Sequence, residues 1–290
     1  MKCEKCKGDG RMIGGKLGDG TSGSYSSVPV SVSGLSGVTA IAAGGGHTCA
    51  LLSGGTVQCW GYNYFGQLGD RTNTNSDLPV SGSGLIGAIA IAAGGGHTCV
   101  LLPDGTVQCW GNNYSGQLGN GTTTTLPPYG SNVPVRVTDL TGSIAISAGQ
   151  NHNCALLSGG TVQCWGRNHY GQLGDGGTTN SNVPMSVTGL TGATTISAGY
   201  EHTCALLADT TVQCWGYNGY GQLGNGTTAN SNAPVSVSSL TGVTAIDAGS
   251  YHACARLSGG TVQCWGWNAY GQLGNGTTTD SNVPVTVSGL

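Results

Sequence analysis

Charge is what this sequence has least of. Only 7% of its 290 residues are Asp, Glu, Lys or Arg, and lysine is absent after residue 16. Lys2, Lys5, Lys7, Arg11 and Lys16 crowd the start. Beyond them Arg71, Arg136, Arg167 and Arg256 stand against ten acids, a net charge of −6. A surface of that sign repels a phosphate backbone, so the body of the chain is not expected to bind nucleic acid. Glutamate occurs twice, as Glu4 and Glu201, and no carboxylate pair stands out for acid–base chemistry. There is no G-x-S-x-G and no phosphate loop ending in Gly-Lys-Ser/Thr. G-x-G-x-x-G at Gly18/Gly20/Gly23 and Gly82/Gly84/Gly87 lacks a βαβ context and follows from having 55 glycines. Neither an enzyme nor a cofactor is expected. Long apolar runs are also missing: no stretch approaches a membrane-spanning helix, so membrane insertion is not expected. The start, Met1 to Lys7, lacks the apolar core of a signal peptide. Helix formers are concentrated nowhere.

What is abundant is Gly, Thr, Ser, Val and Asn, the composition of short strands joined by turns. It is organised as a repeat: A-G-x-x-H-x-C-A-L-L, a short turn, T-V-Q-C-W-G-x-N-x-x-G-Q-L-G, a polar loop, then x-P-V-x-V. The histidines that mark it, His47, His97, His152, His202 and His252, are spaced 50, 55, 50 and 50 residues apart. The long step holds the insertion around Leu126-Pro127-Pro128-Tyr129. The chain divides into a tail (1–16), a partial repeat (17–35) that matches the second half of a unit, and five complete units: 36–85, 86–140, 141–190, 191–240 and 241–290. It reads as a portion of a longer array.

Within a unit, Thr48 to Leu52 and Thr56 to Trp60 flank Ser53-Gly54-Gly55. This predicts a β-hairpin with a three-residue loop and a left-handed glycine. Its register sets Leu52 opposite Thr56, Leu51 opposite Val57 and Cys49 opposite Cys59. Small residues at Ile41 to Gly44 suit a crowded strand near a central axis, and Pro79-Val80 an outer or edge strand. Three or four strands per repeat is the pattern of a β-propeller blade, so the expected fold is all-β.

The combination of His, Trp-Gly-x-Asn and Gly-Gln-Leu-Gly resembles the regulator of chromosome condensation repeat family. It is met at His47/Trp60/Gln67, His97/Trp110/Gln117, His152/Trp165/Gln172, His202/Trp215/Gln222 and His252/Trp265/Gln272. The resemblance implies a propeller, usually of seven blades. Five complete repeats fall short of that count and leave an incomplete ring as one arrangement. It also implies several roles on one scaffold: guanine-nucleotide exchange on a small nuclear GTPase with chromatin binding, modules of signalling proteins, and a bacterial inhibitor of β-lactamases. Fold alone does not choose among them.

Ten of the twelve cysteines form five pairs at one spacing: Cys49/Cys59, Cys99/Cys109, Cys154/Cys164, Cys204/Cys214 and Cys254/Cys264. Counting back from the loop puts each pair at a non-hydrogen-bonded site, where Cα atoms are closest and a cross-strand disulfide is feasible. One reading is a disulfide in every blade and an extracellular or periplasmic location. The other is ten buried thiols acting as small apolar residues. Cys3-Glu4-Lys5-Cys6-Lys7-Gly8-Asp9-Gly10 resembles one zinc half-site of the DnaJ-type co-chaperones. It supplies two of the four ligands a structural zinc needs, so no metal site is expected. The oxygen-rich loops Asp70–Asp77 and Asp175–Asn182 are explained by turn chemistry better than by calcium.

A residue present in every unit is expected to hold the unit together, which assigns the recurring His to scaffold. Partner binding is then expected where the units differ, just before each His and just after each Trp-Gly. The extended register pairs Gly46 with Tyr62, Gly96 with Asn112, Asn151 with Arg167, Glu201 with Tyr217, and Tyr251 with Trp267. With His169 and Tyr200 these give the candidate partner-binding residues Tyr62, Asn112, Asn151, Arg167, His169, Tyr200, Glu201, Tyr217, Tyr251 and Trp267, a composition resembling interface hot spots. The recurring Tyr170, Tyr220 and Tyr270 are expected to pack between blades. The expectation is a non-enzymatic propeller scaffold with a protein partner. The alternatives are a nucleotide exchange factor acting on a small GTPase, by resemblance, or a structural extracellular repeat.

Overall fold

The computed structural model describes residues 15–22 and 26–290; Cys3 and Cys6 lie outside them. Every regular element described is a β-strand, and the strands form five four-stranded antiparallel meanders, one per repeat. The first blade is β1 Val38–Ala43, β2 His47–Leu52, β3 Val57–Gly61 and β4 Ser76–Ser81. The second is β5 Ala90–Ala93, β6 His97–Leu101, β7 Val107–Asn112 and β8 Gly130–Arg136. The third is β9 Ser143–Ala148, β10 His152–Leu157, β11 Val162–Gly166 and β12 Ser181–Ser186. The fourth is β13 Ala193–Ala198, β14 His202–Leu207, β15 Val212–Gly216 and β16 Ser231–Ser236. The fifth is β17 Val243–Ala248, β18 His252–Leu257, β19 Val262–Gly266 and β20 Ser281–Thr286. The blades fall into two compact units: the first two blades belong to a unit that ends at Gly142, and the last three to Ser143–Leu290.

The hairpin register follows the sequence. In β2–β3, Leu51 is opposite Val57 and Cys49 opposite Cys59. Leu52 N–H donates to Thr56 and Tyr62 N–H donates to Gly46. These two hydrogen-bonded pairs place Cys49/Cys59 at a non-hydrogen-bonded position. The same opposition recurs as Cys99 with Cys109, Cys154 with Cys164, Cys204 with Cys214 and Cys254 with Cys264. All five pairs are disulfides, Cys49–Cys59, Cys99–Cys109, Cys154–Cys164, Cys204–Cys214 and Cys254–Cys264, with Cα atoms 4.0–4.1 Å apart. The alternative of ten free thiols is therefore set aside. The burial expected of that alternative is nonetheless present: Cys59, Cys109, Cys164 and Cys214 are wholly inaccessible to solvent. These cysteines belong to the framework and take no part in a surface site.

The loop's last residue is left-handed in every blade, and in four it is glycine (Gly55, Gly105, Gly160 and Gly260). In the fourth blade Thr210 takes that conformation at φ 67°. Pro79 and its equivalents stand in β4, β8, β12, β16 and β20, the edge strands, where a missing N–H breaks no ladder.

The core lies between blades. In Ser143–Leu290, buried Trp215 of the fourth blade packs on Leu156, Leu173 and Cys154 of the third. Trp265 of the fifth packs in the same way on Leu206, Leu223, Cys204 and Cys214 of the fourth. In the first unit Trp110 packs on Leu51, Leu68 and Cys49. First strands also meet: Ala198 N–H donates to Ser147 Oγ and Ala248 N–H to Ser197 Oγ, each at 2.9 Å. Lys16 stands where later blades have their Gln-Leu-Gly glutamine: its carbonyl accepts from Trp60 Nε1 at 3.0 Å. Ser33 N–H donates to Gly18, as Ser83 does to Gly69.

Candidate functional site

The repeated polar residues staple one blade to the next. The Gln67 carbonyl accepts from Trp110 Nε1 at 2.8 Å and from Thr98 Oγ1 at 2.9 Å. Because that hydroxyl proton points at Gln67, Thr98 Oγ1 accepts from His47 Nε2–H at 2.8 Å, which fixes the imidazole as the neutral Nε2–H tautomer. In the second unit His152 donates to Thr203, Thr203 to Gln172, and Trp215 to the same Gln172 carbonyl. Ala253 stands where a fourth-to-fifth-blade relay would need Thr. His202 is fully buried with neither ring nitrogen bonded to a protein atom, and burial pushes its pKa down to about 3. Asn63 orders the polar loop: its amide donates to Asp70 Oδ1 and to the Thr72 and Thr74 carbonyls, and its Oδ1 accepts from Leu68 N–H. Asp70 Oδ1 also accepts from Thr72 N–H and Oγ1, the turn chemistry expected of these loops. Among the described residues no group of three or more His, Cys, Asp or Glu is placed to hold a metal ion.

The variable positions end each hairpin opposite its tight loop. The register extends as expected: Tyr62 N–H donates to Gly46, Asn112 to Gly96, Arg167 to Asn151, Tyr217 to Glu201 and Trp267 to Tyr251. The glycine of Trp-Gly makes this approach possible. Gly216 has φ 104°, and a β-carbon there would lie 2.6 Å from the Glu201 carbonyl oxygen.

In Ser143–Leu290 these ends form a continuous aromatic surface. Tyr170 meets Tyr217 at 4.9 Å between ring centroids, and Tyr217 meets Tyr251 at 6.2 Å. Tyr251 meets Tyr200 at 5.2 Å and Tyr220 at 5.5 Å. Trp267 meets Tyr220, Tyr251 and Tyr270 at 5.9, 6.1 and 5.3 Å. Arg167 bonds Glu201 at 3.0 Å and lies 5.9 Å from the centre of the Tyr170 ring. Glu201 is only 6% exposed. Burial raises its pKa, opposed by Arg167 and by Gln172 Nε2, which donates to it at 3.1 Å. Burial, and then neighbouring Tyr200, Glu201, Tyr220 and Tyr217, push the Tyr251 phenol up to about 12, so the ring stays neutral at physiological pH. A recess of about 140 Å³ is lined by Tyr170, Glu201, Tyr217, Tyr220 and Tyr251. His169 lines a second recess of about 250 Å³ with Tyr170, Thr178, Asn230 and Asn232.

The second unit thus gathers Arg167, Glu201, Tyr200, Tyr217, Tyr251 and Trp267, with Asn151 bonded to the Arg167 backbone. Tyr62 and Asn112 belong to the first unit. There Tyr62 packs with Tyr64 and Phe65 at 6.3 and 6.0 Å, and Asn112 Oδ1 accepts from Tyr114 N–H and Gln117 Nε2. Two of the three recurring tyrosines pack between blades as expected. Tyr170 and Tyr220 do bridge to the following blade, but at the surface, and Tyr220 and Tyr270 are 37% and 76% exposed. The inter-blade Trp occupies the buried seam beneath them. The Arg167–Glu201 pair escapes the sequence reading, because register within a hairpin says nothing about contacts between hairpins. The available signal is the one glutamate of the repeats standing one unit after an arginine at a variable position.

The fold has clear relatives. A structure of human WBSCR16 superposes with a TM-score of 0.78 at 24% identity, over 87% of this chain and 66% of that one. Saccharomyces cerevisiae Prp20p superposes at 0.58 with 20% identity, over 87% and 77%. The ectodomain of the Physcomitrella patens receptor kinase CR4 gives 0.50 at 26% identity, over 82% and 53%. The chain therefore spans just under two thirds of the human protein and about half of the moss ectodomain. A search of curated protein sequences found no match. The sequence matches the RCC1-like domain over residues 8–290, a span that holds all five blades, and the chain belongs to the RCC1-like domain family.

Proposed function

We propose that this chain is a non-enzymatic β-propeller scaffold that binds a protein partner through the aromatic surface of its third to fifth blades. The observation that carries the reading is the contiguity of Tyr200, Tyr217, Tyr251 and Trp267 with Arg167 and Glu201, all at positions where the repeat departs from its own consensus. Tyr, Trp and Arg concentrate binding energy, and the two aromatic side chains bury a large area at small entropic cost. The five disulfides fit an oxidising compartment, the setting of a receptor ectodomain such as the moss relative. Nucleotide exchange on a small GTPase rests only on likeness to Prp20p, whose structure is described with its binding to Gsp1p and histones. Disulfide-bearing blades suit a cytosolic GTPase partner poorly.

The test is capture of the partner by the intact oxidised chain. Tyr251→Ala with Trp267→Ala is expected to release it, while Tyr62→Ala in the first unit retains it. Retention by the double variant rejects the surface, and nucleotide release from a GTPase panel would favour the exchange reading.

A further inference from the structure

The recess over Glu201 has the shape and chemistry of a cation site. Three of its walls, Tyr217, Tyr220 and Tyr251, are steeply inclined to one another, at 70°, 63° and 77°. Tyr170 forms a fourth wall and the buried Glu201 carboxylate lies among them, in a space of about 140 Å³. Walls at such angles fit a compact rounded group better than a flat one. Both carboxylate oxygens are engaged, Oε1 by Arg167 and Oε2 by Gln172. A primary ammonium, which needs three acceptors to replace its water, is therefore limited to the carboxylate's remaining lone pairs and the phenol oxygens. A cation with no N–H is not so limited, because ring faces attract it through their quadrupoles. The wall already takes a cation from within the chain: the Arg167 guanidinium stands over Tyr170, with its Nε unbonded and its side chain 29% exposed.

We propose that this recess binds a quaternary ammonium group, with Arg167 as a resident cation that weakens the binding and Glu201 as the charge that strengthens it. The group is supplied either by a free choline-type solute or by a phosphocholine headgroup. The site stands whether or not the surrounding surface meets a protein, because it is read on the isolated chain.

Choline is titrated into the intact oxidised protein and followed by tyrosine and tryptophan signals in NMR. Saturation is expected with a Kd of about 1 mM or tighter. The neutral isostere 3,3-dimethylbutan-1-ol, and methylammonium, are expected to bind about tenfold more weakly or not at all. Glu201→Gln should weaken choline binding, and Arg167→Gln should tighten it, each by about threefold or more. Opposite signs in these two charge-removing variants are what a merely structural ion pair would not give. Cosedimentation with phosphatidylcholine vesicles, competed by choline, assigns the headgroup as source; choline binding without cosedimentation assigns the free solute. The proposal is overturned if choline does not saturate, if the neutral isostere binds equally well, or if both variants weaken binding alike.

Discussion

Two seams of the second unit are built from the same repeat and filled differently. Between the third and fourth blades, the variable residues that meet are Arg167 and Glu201, an ion pair, and beneath them runs the full His152–Thr203–Gln172 relay. Between the fourth and fifth, the equivalent positions are Tyr217 and Tyr251, which meet ring to ring, and the relay is cut by Ala253. What both seams keep is the tryptophan: Trp215 on the Gln172 carbonyl and Trp265 on that of Gln222. The constant residues close a seam, and the variable pair on its rim can change from charge to aromatic without altering the register. Such a scaffold diversifies its surface by substitution alone.

The largest expected effect lies in what the blades share. Replacing both cysteines of Cys154–Cys164, of Cys204–Cys214 or of Cys254–Cys264 by Ala should cost about 2–3 kcal/mol in each blade, read by urea unfolding, since the closed loops are equally short. A large inequality would show that the blades are not equivalent.

Acidification should act next, through His202. Its folded-state pKa of about 3 lies below the usual 6.5, so the unfolded chain takes the proton first as pH falls. The stability is complete above about pH 6.5 and declines by about 1.4 kcal/mol per pH unit towards pH 3. Between pH 7.5 and 5 this histidine should contribute a loss of about 2 kcal/mol, which His202→Leu removes.

The tryptophans should then separate the seams. Trp265→Phe leaves the Gln222 carbonyl without its donor and should cost about 1–2 kcal/mol. Trp215→Phe should cost less, because Thr203 still donates to Gln172. The smallest expected effect is a gain. Ala253→Thr restores the relay to His202 and should stabilise the protein by about 1 kcal/mol. Thr203→Ala should do the reverse.

Much of this is legible in the sequence, for a physical reason. Hairpin register depends on loop length and period-two alternation, both local, so Cys49 opposite Cys59, Cys99 opposite Cys109 and Tyr217 beside Glu201 can be read directly. What lies beyond reading is contact between blades. Nothing in the unit containing His152 says that its imidazole reaches Thr203, fifty-one residues on. The recurring asparagine shows as a constant letter of the repeat, but its role in tying Asp70, Thr72 and Thr74 into one loop depends on where the chain returns. Recurrence suggests that Tyr170 and Tyr220 pack between blades, but not that they do so at the surface, above the buried tryptophan.

In this division of labour, recurring residues hold blades together and departures from the repeat are proposed to bind. Its most direct test sets Tyr251→Ala/Trp267→Ala beside Trp265→Phe, measuring partner affinity and unfolding free energy on both. The aromatic double variant should lose about tenfold or more in affinity at nearly unchanged stability, and the seam variant should lose stability at nearly unchanged affinity. If the double variant keeps its partner, or the two variants lose affinity and stability together, the division fails.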